Sequence, residues 1–114
     1  MIGTSCAASS AGVQVWLATA PVDMRKSFDS LAEVVRAFLG HDPLSGSLFV
    51  FRNRSAQRVK ILFFADGGLT IYYKRLEKGT FQFPASPAKS LALRSADLVR
   101  LLAGGAVESH HGTS

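Results

Sequence analysis

Apolar residues Met24, Phe28, Leu31, Val35 and Phe38 recur at steps of four and three, which lines them along one side of a helix. Arg25, Lys26, Asp29, Glu33 and Arg36 fall largely on the other side. Asp23 can accept from first-turn backbone N–H groups and Gly40 suits a left-handed terminus, so the pattern predicts a helix over residues 23–39. On either side of that segment the period falls to two. Residues 13–19 read as a short strand carrying the only tryptophan, Trp16, and broken by Pro21. Residues 47–52, 58–64, 69–74 and 80–83 read as four more strands, separated by residues 53–57, by Asp66-Gly67-Gly68 and by Lys78-Gly79. Ile61, Leu62, Phe63 and Phe64 are apolar on both faces of their strand. They predict an internal strand with the long helix on one side and an interface on the other. Pro84 and Pro87 end this region, residues 91–93 add a short edge strand, and Ser95 caps a second helix bearing Leu98, Leu101 and Leu102, stopped by Gly104-Gly105.

The expected fold is therefore α+β: an antiparallel meander of about four to six strands, one long helix packed on one face, and a short C-terminal helix. The expected organisation is a flexible leader over residues 1–12, a single domain over 13–103 and a flexible tail over 104–114. A chain of 114 residues that is 47% hydrophobic can bury one core without disulfides or a structural metal. Cys6 is the only cysteine, which excludes an internal disulfide and a cysteine-based zinc cluster. The lone cysteine suits a reducing compartment and no apolar stretch approaches the roughly 20 residues of a membrane span, so the cytoplasm is the expected location.

Charge changes the picture more than composition does. Thirteen Lys and Arg against eight Asp and Glu give +5, and residues 52–78 hold that whole excess. In this segment Arg52, Arg54, Arg58, Lys60, Lys74, Arg75 and Lys78 face only Asp66 and Glu77, with Phe49, Phe51, Phe63, Phe64, Tyr72 and Tyr73 interleaved on adjoining strands. Cations mixed with aromatics hold phosphates while stacking on bases, so these seven cations are the candidate nucleic-acid-binding residues. An equally open reading makes the same cations a solvated strand edge and the aromatics ordinary core. Closing the first hairpin around residues 53–57 would set Arg52 beside Arg58, a like-charge pair that calls for an anion between them.

Asp23, Asp29 and Glu33 are the candidate metal or acid–base carboxylates, with Asp29 and Glu33 four apart on one helix face. Arg25, Lys26 and Arg36 lie within helical reach, which favours a salt-laced surface. His41 follows the helix C-terminus, where its positive form suits the dipole, and His110-His111 and Cys6 sit in the expected tail and leader. No phosphate-binding loop, zinc motif or serine triad spacing is present. No catalytic residue, metal or cofactor is assigned, and the chain reads as a binding protein rather than an enzyme.

The string Val15-Trp16-Leu17-Ala18-Thr19-Ala20-Pro21-Val22-Asp23-Met24-Arg25-Lys26-Ser27-Phe28-Asp29-Ser30-Leu31 resembles the signature of TnpB-type accessory proteins. These are the short second-frame products of the insertion-sequence-sixty-six group of transposons. Leu48-Phe49-Val50-Phe51-Arg52, Lys60-Ile61-Leu62 and Tyr72-Tyr73-Lys74-Arg75-Leu76-Glu77-Lys78-Gly79-Thr80-Phe81 resemble later blocks of the family in order and spacing. The chain departs from the family at Ser27 and Ser30, where Gly is usual, and at Phe63-Phe64-Ala65-Asp66-Gly67, where a Trp- or Tyr-rich element ending in Asp-Gly is usual. The resemblance implies a protein that assists transposition beside a separate transposase, and it brings no catalytic residues. The expected partners are that transposase and DNA, with the element ends as one candidate site and RNA as an alternative ligand. Asp23, Met24, Arg25, Lys26, Phe28 and Asp29 form the expected structural or partner-binding motif. Two rivals stand beside DNA binding: docking of the apolar sheet face and first helix onto the transposase, and a metal-dependent nuclease using Asp23, Asp29 or Glu33.

Overall fold

The computed structural model describes residues 13–105. In chain order these form β1 (Val15–Ala18), α1 (Phe28–Glu33) running directly into a π-helical segment (Val34–Leu39), β2 (Leu48–Arg52), β3 (Arg58–Ala65), β4 (Gly68–Arg75), β5 (Ser90–Leu93) and α2 (Ser95–Leu102). The leader at 1–12 with Cys6, and the tail from 106 onward with His110 and His111, lie outside the described residues. None of the described helices is long and apolar enough to cross a membrane.

The first helix starts five residues later than its apolar spacing predicts, because Asp23 is occupied elsewhere. Its Oδ1 accepts the backbone N–H of Arg25 at 2.9 Å and its carbonyl accepts that of Lys26 at 3.0 Å, closing a tight turn in place of a helical one. Ser27 is the cap instead: its N–H donates to Ser30 Oγ at 2.9 Å and its carbonyl accepts from Leu31 at 2.8 Å. The last turns then widen from the α to the π pattern and end at Gly40, whose φ of 74° lets His41 N–H reach the Val35 carbonyl at 3.0 Å. The wider turn alters which residue returns to the core. Leu31, Ala32 and Val35 are buried and Leu39 packs partly against them, whereas Phe28 and Phe38, expected on the buried face, are each 45% exposed.

The sheet order is β4-β3-β2-β1-β5. Strands β2, β3 and β4 form the expected antiparallel meander, but β1 lies parallel to β2 and takes β5 on its other side as an antiparallel partner. The sheet is thus mixed. The reason lies in the helical connection between β1 and β2, which carries the chain back to the end where β1 began, as a crossover requires.

Period-two alternation sorts the core into two layers. Phe49, Phe51 and Leu62 lie under α1 with Leu31, Ala32 and Val35. On the opposite face Val15, Leu17, Val50, Val59, Ile61 and Leu93 pack with Leu98 and Leu101 of α2 and with Phe81. This second face, expected to be an interface, is therefore covered within the chain. Residues 80–83, expected to be a strand, belong to a strap that leaves β4: Leu76 N–H donates to Gln57 O at 2.9 Å and Phe81 N–H to Ala56 O at 2.7 Å, which drops the Phe81 ring into the core. The expected edge strand forms as β5. Its neighbour α2 begins at Ser95, but Arg94 is the cap, its extended backbone donating N–H to Asp97 Oδ2 at 3.4 Å.

Candidate nucleic-acid interface

The seven cations singled out by charge do not share one surface. Lys60 sits on the α1 side of β3 and is only 8% exposed. Its ammonium donates to the carbonyls of Met24 and Lys26, both at 2.7 Å, and lies 4.9 Å from the centroid of the Tyr73 ring. It bolts the 23–26 turn to the sheet and is too buried to meet a phosphate in the open groove. Lys74 points to the other face, where its ammonium donates to the Leu102 carbonyl at 2.8 Å and neutralises the C-terminus of α2. Arg52 shares that other face. Its guanidinium donates to the Thr19 carbonyl at 2.9 Å and stands over the Phe83 ring at 5.4 Å. Lys78 is exposed beyond the end of β4.

Arg54, Arg58 and Arg75 do come together, and Arg25 joins them. Asp23, Arg25, Asn53, Arg54, Arg58 and Tyr73 are among the residues lining a hollow of about 510 Å³ between the 23–26 turn and the β2–β3 loop. A second hollow of about 310 Å³ is lined by Arg58, Tyr73, Arg75 and Glu77. Arg58 and Tyr73 line both, so the two form one groove with these side chains as its dividing ridge. Strand register explains the ridge. Arg52 stands opposite Val59, not Arg58, and the like-charge pair that does form is Arg58 opposite Arg75 across β3 and β4. Two guanidiniums placed there repel unless an anion or carboxylate lies between them.

Four guanidiniums and two carboxylates leave this groove at net +2. Arg75 pairs with Glu77 at 3.0 Å. Arg25 reaches Asp23 through Nε and Nη2, at 2.8 Å for the shorter contact, and its side chain is 92% exposed. The Arg25 side chain's hydrogen bonds, followed by the Arg25 backbone N–H, hold the Asp23 carboxyl down at a pKa of about 2, and Asp23 raises Arg25 in turn. The rim opposite is shaped by Asn53, whose Oδ1 accepts the backbone N–H groups of Gln57 and Arg58 at 3.0 and 2.9 Å, while Ala56 takes a φ of 60° to complete the loop. Charge counting along the sequence missed Arg25 because it lies outside the 52–78 run. The signal that could have found it is Asp23 two residues ahead, the spacing of an aspartate turn that turns the second side chain back onto the carboxylate.

The remaining motif residues divide by role. Met24 and Lys26 supply the carbonyls that hold Lys60, while Phe28 and Asp29 are exposed at the start of α1. Glu33 pairs with Arg36 at 3.0 Å, as the salt-laced reading expected. Among the described residues no group of three His, Cys, Asp or Glu side chains could hold a metal ion. His41 stacks on Trp16 with ring centroids 4.3 Å apart.

The sequence profile described as IS66 Orf2 like protein matches residues 13–112. The chain belongs to the IS66 Orf2-like family. Its relatives include the uncharacterized protein y4hO of Sinorhizobium fredii, 41% identical over 96 residues that span 84% of each chain. The uncharacterized protein y4jC of the same organism is 33% identical over 95 residues, 83% of this chain and 81% of that one. No solved structure matches. Membership places the protein among transposition accessory proteins of insertion sequences. In this IS66 Orf2-like fold two of the four sequence blocks that carry the resemblance meet at the groove. The block around Asp23 and Arg25 supplies one wall, the block around Tyr73, Arg75 and Glu77 supplies the other, and Lys60 ties them together.

Proposed function

We propose that this IS66 Orf2-like protein assists its transposase by binding nucleic acid through the groove formed by Arg25, Arg54, Arg58, Arg75 and Tyr73, with the DNA at the element ends as its natural target. The observation that carries this reading is the set of four guanidiniums around one exposed tyrosine, with Arg58 and Arg75 directly opposed across neighbouring strands. Opposed cations without a buried counter-charge favour an anionic ligand, and guanidiniums match phosphate oxygens in a bidentate fork. The test is fluorescence anisotropy with the terminal duplex of the element and a scrambled duplex at low and moderate salt. Binding should weaken steeply with salt, and Arg54→Ala with Arg58→Ala should reduce affinity for both duplexes alike. Binding that ignores salt, or a double variant with unchanged affinity, would count against the groove.

A second reading rests on Phe28 and Phe38, two large rings left exposed along the first helix and its π-helical extension. They suit docking onto the transposase itself. Co-purification of the two proteins in nuclease-treated extract, lost on Phe28→Ser with Phe38→Ser, would favour it.

A further inference from the structure

Resting on the nucleic-acid reading above, we propose that the groove takes an unpaired strand, one base of which stacks on Tyr73 while flanking phosphates meet the arginines. Tyr73 stands on the ridge between the two hollows and is 49% exposed. Its ring is held in place before any ligand arrives. The Lys60 ammonium lies against it at 4.9 Å and is itself fixed by two carbonyls at 2.7 Å. Lys60 is nearly buried, so the accessible part of the ring is the part turned away from it. In a duplex each base already stacks on its neighbours and can meet such a ring only by leaving the helix. An unpaired base presents its π-face at no such cost.

The arginines are placed to follow a backbone past that ring: Arg25 and Arg54 in the larger hollow, Arg75 in the smaller, and Arg58 on the ridge beside Tyr73. The amide and carboxylate groups that could read base edges are already engaged. Asn53 Oδ1 accepts from two backbone N–H groups and its Nδ2 donates to Ser55 Oγ at 3.1 Å. The Asp23 and Glu77 carboxylates are held by Arg25 and Arg75. Stacking with phosphate contacts, the arginines being spent on the backbone, gives binding that tolerates sequence.

The test compares, at one salt concentration, the anisotropy of labelled oligothymidine about 15 nucleotides long, a mixed strand of that length and the matching blunt duplex. The full chain should bind both single strands more tightly than the duplex. Tyr73→Leu should lose roughly tenfold on the single strands and stay within about twofold on the duplex, and Tyr73→Phe should behave as the parent, because the ring and not the hydroxyl is used. Tyr73→Trp covers the case in which the leucine variant fails to fold. Its extra indole emission should be quenched by oligothymidine and not by the duplex. A duplex bound as tightly as the single strands, an equal loss on both in Tyr73→Leu, or no selective quenching would overturn the inference. If duplex binding is salt-dependent and lost in the Arg54→Ala, Arg58→Ala variant, only this inference falls; if the parent binds no nucleic acid, the broader reading falls with it.

Discussion

The pairing of Asp23 with Arg25 does two things at once: it closes the turn that precedes α1 and it presents a guanidinium to the groove. Because the Asp23 carboxyl sits at about 2, below its ordinary 3.8, the stability it contributes is fully present above the ordinary value and is lost as pH falls through the folded one. A carbon-detected NMR titration should therefore give an Asp23 midpoint near 2 in the parent and a return toward 3.8 in Arg25→Ala. An unchanged midpoint in that variant would assign the depression to another group. Lys60 is the contrary case, a cation that charge patterning offers as a phosphate ligand and that tertiary structure consumes. Hydrogen bonds from a charged donor contribute more than neutral ones, so Lys60→Met should lower the unfolding free energy by roughly 2–3 kcal/mol in urea titration. Nothing in its sequence neighbourhood distinguishes Lys60 from Arg58. The difference is two residues of strand, which place Lys60 beneath the 23–26 turn and Arg58 beyond it.

At the level of elements, the antiparallel run β2–β3–β4 was legible because its turns carry local chemistry, with Asn53 and Asp66-Gly67-Gly68 closing the two hairpins. The parallel placement of β1 beside β2 was not legible, since four strand residues on their own do not say which neighbour they pair with or in which direction. The helix illustrates a different limit. Its apolar spacing assumes the α period throughout, and the change to π geometry at Val34–Leu39 leaves Leu39, not Phe38, following Val35 into the core. The two geometries make opposed predictions for mutation. Leu31→Ala should cost roughly 2–5 kcal/mol, the range for truncating a fully buried leucine, whereas Phe38→Ala should cost less than about 1 kcal/mol. Chemical denaturation of both variants checks this, and a large loss at Phe38 would restore the uninterrupted α-helix that periodicity predicts.

For the whole molecule, the decisive fact is that the sheet has two faces and the basic run from residue 52 to 78 is divided between them. Arg58 and Arg75 emerge on the α1 side, and Arg52 and Lys74 on the α2 side, where they stitch the strap and the C-terminal helix to the sheet. Net charge along the sequence could not make this division, because alternation assigns faces only once the register is known. The division separates two groups of cations that are otherwise alike. If phosphates bind on the α1 side, removing Arg54 and Arg58 together should flatten the slope of log affinity against log salt by about 1.8 for a duplex, close to 0.9 for each phosphate no longer neutralised. Removing Lys74 should leave that slope unchanged while lowering stability by about 1 kcal/mol, since it removes one charged hydrogen bond at the end of α2. The reverse pattern, a flatter slope in Lys74→Ala and none in the arginine pair, would move the interface to the face that α2 covers. Binding there would have to displace α2 and the strap from Leu98, Leu101 and Phe81, so nucleic acid would then speed amide hydrogen exchange in α2 instead of leaving it unchanged.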